Sequence, residues 1–168
     1  MVDTCIPLFY YETSEHETEA VRRIERLSHR IKTLTAQLPS KYETVSGFLL
    51  PEGSKTGPQY RSAMCVLDVV FANEPATPRD AVNALTAWYF HIKKVPFLPS
   101  DFATLTAIRD LLWERLQPFV AMGCSLNTPK MHCCAKIAQT LHLFGSSVRV
   151  STDAYERAHK AHKAVYQR

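Results

Sequence analysis

SEHETEAVRRIERLSHRIKTLTAQL, residues 14–38, is the stretch whose periodicity decides the fold. Its apolar residues Ala20, Ile24, Leu27, Ile31, Leu34 and Leu38 step by four, three, four, three and four, which is a heptad seam. Arg22, Arg23, Glu25, Arg26, Arg30 and Lys32 take the other sides. Ser14, with Glu17 three residues on, has the spacing of a capping box, so one long helix is predicted over 14–38. Three heptads are short for a dimeric coiled coil, and the seam is expected to pack inside the domain or on a neighbouring helix. The same face, residues 20–38, is the surface offered to other helices if the chain is a protein–protein interaction module.

Outward from this helix the chain is punctuated like a helical array. Residues 1–13 hold Pro7 and the group Phe9-Tyr10-Tyr11 and are expected to be irregular. A long loop is expected over about 39–58, with Pro51, Gly53, Gly57 and Pro58. Residues 59–73 carry Met64, Val66, Leu67, Val69, Val70 and Phe71, enough for a central helix that Asn73-Glu74-Pro75 breaks. Thr77-Pro78 starts the next helix, to about residue 94, with Val82, Leu85, Trp88, Tyr89 and Ile92 on one face. Ser100-Asp101 caps another over 102–122, with Leu105, Ile108, Leu112, Trp113 and Leu116 inward, Pro118 bending or interrupting it and Gly123 closing it. Thr128-Pro129 and Ser151-Thr152-Asp153 start two more, the first ending at Phe144-Gly145. The expectation is an all-α, antiparallel multi-helix array of about six helices, a single helical domain over 14–168.

Composition agrees with a folded domain: 46% of the 168 residues are apolar and 21% charged. The net charge of +4 is unevenly placed. Residues 1–20 carry Asp3, Glu12, Glu15, Glu17 and Glu19 and no Lys or Arg, whereas residues 130–168 carry seven Lys/Arg against Asp153 and Glu156. The basic end is the better candidate for an anionic partner. Five cysteines (5, 65, 124, 133 and 134) follow no regular spacing, and neither a secretory leader nor a membrane span is seen. Reduced thiols and a nuclear or cytoplasmic location, not secretion or a membrane, are expected.

The segment 127–163 concentrates the chemistry. Glu156, His159 and His162 lie at i, i+3 and i+6 on one helix, and with His132 and Cys133 or Cys134 they could build a tetrahedral zinc site. His132, Cys133, His159 and His162 are the candidate ligands. The spacing matches no CxxC or HExxH signature, and histidines favoured near a helix C-terminus explain the same residues without metal, so no cofactor is expected. A Cys/His nucleophile would need Cys133 or Cys134 beside His132 or His159, yet no glycine-rich turn supplies an oxyanion hole. The chain has no P-loop, GxGxxG or GxSxG, which leaves nucleotide binding and the common serine-hydrolase layout without support.

The order of residues here carries a likeness. Asn127-Thr128-Pro129-Lys130-Met131-His132, then Phe144-Gly145-Ser146, then Ser151-Thr152 with Glu156, His159 and Lys160, resembles the C-terminal region of eukaryotic cut-and-paste DNA transposases, of the CACTA-like group with its fungal and oomycete relatives. Ala87-Trp88-Tyr89 and Phe97-Leu98-Pro99-Ser100-Asp101 look like the helix pair that precedes this motif, so the likeness covers roughly 62–166. Such transposases use an RNase H-like core in which three acidic residues hold two divalent metals. The resemblance makes Glu156 the candidate for a late acidic position. The strands that should carry the earlier aspartates are not seen before Gln59, and Asp68 reads as a lone acid in an apolar helix. A truncated, transposon-derived fragment is therefore expected, without nuclease activity of its own. Lys130, Lys136, Arg149, Arg157, Lys160 and Lys163 are the candidates for contact with DNA backbone, with little sequence preference. The alternatives are the interaction module on residues 20–38, or a relic with no activity.

Overall fold

The computed structural model describes residues 2–50, 55–94, 97–126, 136, 137 and 141. Among these residues it is all-α: α1 (Val2–Thr13), α2 (Glu17–Ala36), α3 (Gly57–Met64), α4 (Leu67–Phe71), α5 (Ala76–Ile92) and α6 (Asp101–Ala121), with no strand. None of these helices is long and apolar enough to cross a membrane.

The first helix corrects the expectation of an irregular start. Cys5, Ile6, Phe9 and Tyr10 recur at i, i+1, i+4 and i+5, one buried stripe of a helix, and are 1–7% exposed. Pro7 lies inside α1 and removes a backbone donor, a loss of roughly 3 kcal/mol in an isolated helix. The buried stripe offsets it. Phe9 meets Tyr10 edge-on at 5.4 Å and Phe119 at 5.9 Å, centroid to centroid. Ser14 belongs to this end of the chain, because its amide donates to the Tyr10 carbonyl at 3.1 Å. The capping box expected at Ser14 and Glu17 does not form, and α2 starts after His16 with no side-chain cap.

α2 keeps its apolar face, with a different period. The buried set is Ala20, Ile24, Leu27, Ser28, Ile31 and Thr35, the spacing of a straight 3.6-residue helix, and Leu34 and Leu38 are only partly buried. A strict heptad drifts by about 20° every seven residues on such a helix, which brings Ser28 and Thr35 inward. Ala20, Leu27 and Ile31 are 0% exposed in the chain's own core. The seam is therefore occupied from within, the first of the two placements expected for it, which leaves its buried part no surface to offer to other helices.

The two inward hydroxyls have work to do. The amide of Leu49 donates to Ser28 Oγ at 3.3 Å and that of Val45 to Thr35 Oγ1 at 3.0 Å. From the other side the amide of Glu43 donates to Ser62 Oγ at 2.8 Å. These bonds satisfy backbone that would otherwise be buried unpaired, so the loop after α2 can send Val45, Phe48 and Leu49 into the core. Gly47, at φ +59°, makes the turn within it. The loop ends earlier than expected, since Thr56 and Gln59 form a capping box and Gly57 and Pro58 lie in the first turn of α3.

The expected helix over 59–73 is two. At 100° per residue, Ser62, Ala63, Met64, Val66, Leu67, Val70 and Phe71 would occupy more than half the circumference of one straight helix. The break at Cys65-Val66, closed by short bonds from Cys65 to Ser62 and from Val66 to Ala63, re-aims Leu67, Val70 and Phe71 at one core. Asp68 is exposed in the first turn of α4.

α5 and α6 run antiparallel. Early α5 (Ala81, Val82, Leu85) meets late α6 (Leu116, Phe119) around one small void, while His91 at the end of α5 lies 3.0 Å from the Asp101 carbonyl oxygen. The expected stripe on α6 holds for Leu105, Leu112 and Leu116, with Ile108 and Trp113 partly buried. Pro118 does not end α6, which continues to Ala121. The entry differs from expectation as well. Ser100 makes no side-chain cap, and the Asp101 carboxylate instead accepts from the Leu98 amide and from Lys94 Nζ, both at 2.7 Å. Those donors hold the Asp101 carboxyl below its ordinary range, Lys94 foremost. At the other end Gly123 (φ +89°) donates to Val120 and Cys124 to Phe119, both at 2.9 Å, a Schellman motif.

That motif delivers Cys124 to Cys5. The two form a disulfide, with Cα atoms 5.9 Å apart and 119 residues between them in sequence. The expectation of reduced thiols is corrected for this pair. Cys65 is free and half-buried, and Cys133 and Cys134 lie outside the described residues.

Candidate functional site

The polar chemistry of the described residues gathers along α2, and it divides by angle around the helix. Arg23 and Arg30 occupy the flank next to α4, each with a job. Arg23 Nε donates to Glu74 Oε2 at 2.8 Å, and Tyr10 Oη donates to the same oxygen at 2.7 Å. The Arg23 guanidinium also lies 4.9 Å from the centre of the Tyr10 ring. One carboxylate thus joins α1, α2 and the turn between α4 and α5. Burial, with the Glu74 bond behind it, pushes the Tyr10 hydroxyl well above its ordinary pKa of 10. Arg30 donates to the carbonyls of Val70 at 3.0 Å and Val69 at 3.4 Å, satisfying acceptors at the end of α4. Arg22, Arg26 and His29 stand on the opposite side from the core and are exposed.

Beside this helix lies an apolar cavity of about 210 Å³, walled by Thr4, Pro7 and Tyr11 of α1, Val21 and Ile24 of α2, and Leu49 and Leu50 of the loop. Among the described residues its polar side-chain groups are the two hydroxyls of Thr4 and Tyr11. Among the described residues no three His, Cys, Asp or Glu side chains gather as a metal site would need.

No protein-family model, curated protein or solved structure matches the chain.

Of the candidate DNA-binding, catalytic and metal residues named from the sequence, Lys136 alone is described. Residues 136, 137 and 141 are helical, within the helix expected from Thr128 to Gly145. Lys136 is exposed, Leu141 is buried and Ile137 packs against the core, so this piece turns an apolar side inward and a lysine outward. Lys130, Arg149, Glu156, Arg157, Lys160 and Lys163 lie outside the described residues, as do His132, Cys133, His159 and His162. Sequence reasoning missed the Tyr10–Glu74–Arg23 group. Glu74 reads locally as part of a helix breaker, and its partners are 64 and 51 residues away.

Proposed function

We propose that the chain is a helical domain of transposase descent, nuclear and without a complete acidic triad. Its basic C-terminal segment, Lys130, Lys136, Arg149, Arg157, Lys160 and Lys163, contacts the backbone of DNA. The observation that carries this reading is the order of residues from Asn127 to Lys160, set in a segment with seven basic residues and two acids. The exposed position of Lys136 supports it, since a backbone contact needs a cation at the surface. Binding of this kind weakens steeply with salt and varies little with sequence. The Lys160→Glu, Lys163→Glu double variant is expected to bind a labelled duplex more than tenfold more weakly at low salt. Unchanged anisotropy curves would remove the C-terminal segment from the interface.

One observation favours a second reading. Bonded cysteines are rare where glutathione keeps thiols reduced, so the Cys5–Cys124 bond suits a domain that folds in an oxidising compartment. Alkylation of protein taken from cells under denaturing, non-reducing conditions separates the two. All five cysteines take up label if the chain matures in the nucleus, and at most three do so if the bond forms.

A further inference from the structure

We propose that the cavity between α1, α2 and the loop after α2 binds a small uncharged molecule of about eight non-hydrogen atoms, apolar but for one hydroxyl or carbonyl. Its walls are held apart by bonds the fold already needs. Thr4, Pro7 and Tyr11, at i, i+3 and i+7, form the stripe of α1 that lines it. Cys5, next to Thr4, is tied to Cys124, and Tyr10, next to Tyr11, donates to Glu74 at 2.7 Å, so this wall is anchored at both ends. Opposite, Ile24 is 3% exposed and Leu49 0%, and the Leu49 amide is bonded to Ser28 of the same helix that carries Ile24. The Leu50 amide is bonded to the Gly47 carbonyl at 3.0 Å. Closing the gap would disturb one of these bonds. A space that persists between fixed walls is a preformed site, and little has to be ordered when a ligand enters it.

Size and lining select the ligand. An apolar cavity of about 150 Å³ admits benzene, and in proportion the volume of about 210 Å³ here takes about eight non-hydrogen atoms. Buried water makes about three hydrogen bonds per molecule, and the described side chains offer it two hydroxyls, so an apolar body displaces that water with a gain. Both hydroxyls belong to the mouth, where Thr4 and Tyr11 are exposed, while Ile24 and Leu49 make the floor. The ligand therefore lies with its apolar end inward and its polar end at α1. No charged side chain lines the cavity among the described residues, and a charged ligand would lose its hydration without a counter-charge in return. This site is independent of the DNA reading above.

The test follows the methyl signals of Val21, Ile24, Leu49 and Leu50 by heteronuclear NMR of the full chain as p-cresol or toluene is added. Both probes should shift these signals saturably, p-cresol with a Kd below about 1 mM. Val21→Phe fills the cavity from α2, and should weaken both probes by about tenfold or more with helix content unchanged by circular dichroism. Should that variant lose helix content, Thr4→Leu narrows the cavity from α1 and takes its place. Thr4→Val with Tyr11→Phe removes the hydroxyls and keeps the shape, so p-cresol should weaken by about two- to tenfold, the worth of one hydrogen bond, and toluene should not. The carboxylate p-toluate should bind about tenfold or more weakly than p-cresol. Signals that do not saturate by about 10 mM p-cresol, or affinity unchanged by both filling variants, would overturn the site. Binding of p-toluate as tight as that of p-cresol would overturn the uncharged class. A dimer in sedimentation that p-cresol splits would give the cavity to a side chain of a second copy, and would overturn the small-molecule assignment as well.

Discussion

A carboxylate that is 7% exposed and accepts from both a tyrosine and an arginine makes a specific demand on the chain. Glu74→Ala leaves a buried Tyr10 hydroxyl without an acceptor and a partly buried guanidinium without its counter-charge, and should cost about 2–3 kcal/mol in chemical denaturation. Tyr10→Phe removes one donor and leaves the ion pair, so about 1–2 kcal/mol is expected. The same site sets an alkaline limit. The folded tyrosine holds its proton more tightly than the unfolded one, so its contribution is complete below pH 10 and is lost as the pH rises above 10. A midpoint of thermal unfolding that is flat from neutral pH to 10 and falls beyond it would show this, and Tyr10→Phe should flatten the fall. None of this was legible in the sequence. Local pattern gives Glu74 beside a proline, and nothing nearby shows that residues 10 and 23 will close over it.

Helix α2 was legible because its apolar residues repeat, and α5 and α6 for the same reason. What periodicity misjudged was the finer question of which face. The seam read as 3.5 residues per turn is buried as 3.6, and Ser28 and Thr35 enter the core because a loop needs their hydroxyls. α1 was hidden by its proline, and the α3–α4 break by an apolar run long enough for one helix. Both depend on packing partners far away in sequence. Gly123 was read correctly as a stop, and its positive φ gives the reading a measure. Nothing lies within 4 Å of the position a Cβ would take there, so Gly123→Ala is a test of backbone conformation alone. It should lower stability by about 1–2 kcal/mol, the cost of the left-handed region for a residue with a side chain. Because the Schellman turn positions Cys124, the variant should also reoxidise more slowly from the reduced, unfolded state.

At the scale of the whole molecule the Cys5–Cys124 bond joins two points 119 residues apart. In the chain-entropy account a loop of that size is worth roughly 4–5 kcal/mol against the unfolded state. Cys5→Ser with Cys124→Ser, or reduction, is expected to lower the unfolding free energy extrapolated from urea by an amount of that order, with a lower midpoint and a change in slope as the unfolded chain expands. The candidate site belongs to this scale too, and it was the least legible. The sequence pointed at the basic C-terminal residues, of which the described fold includes Lys136 alone, and local pattern could not say which of the α2 arginines would be drawn into the fold, as Arg23 and Arg30 are. The bond has a mechanical meaning as well. It makes residues 5–124 a covalent ring, from α1 to the turn after α6. A single protease cut inside that ring yields two pieces that stay together until a reductant is added. Tension applied from before Cys5 to after Cys124 runs through two sulfur atoms, and α2 to α5 carry none of it. In an optical trap, the oxidised chain should lengthen only by what lies outside the ring, and the helices inside it should begin to give way only after reduction.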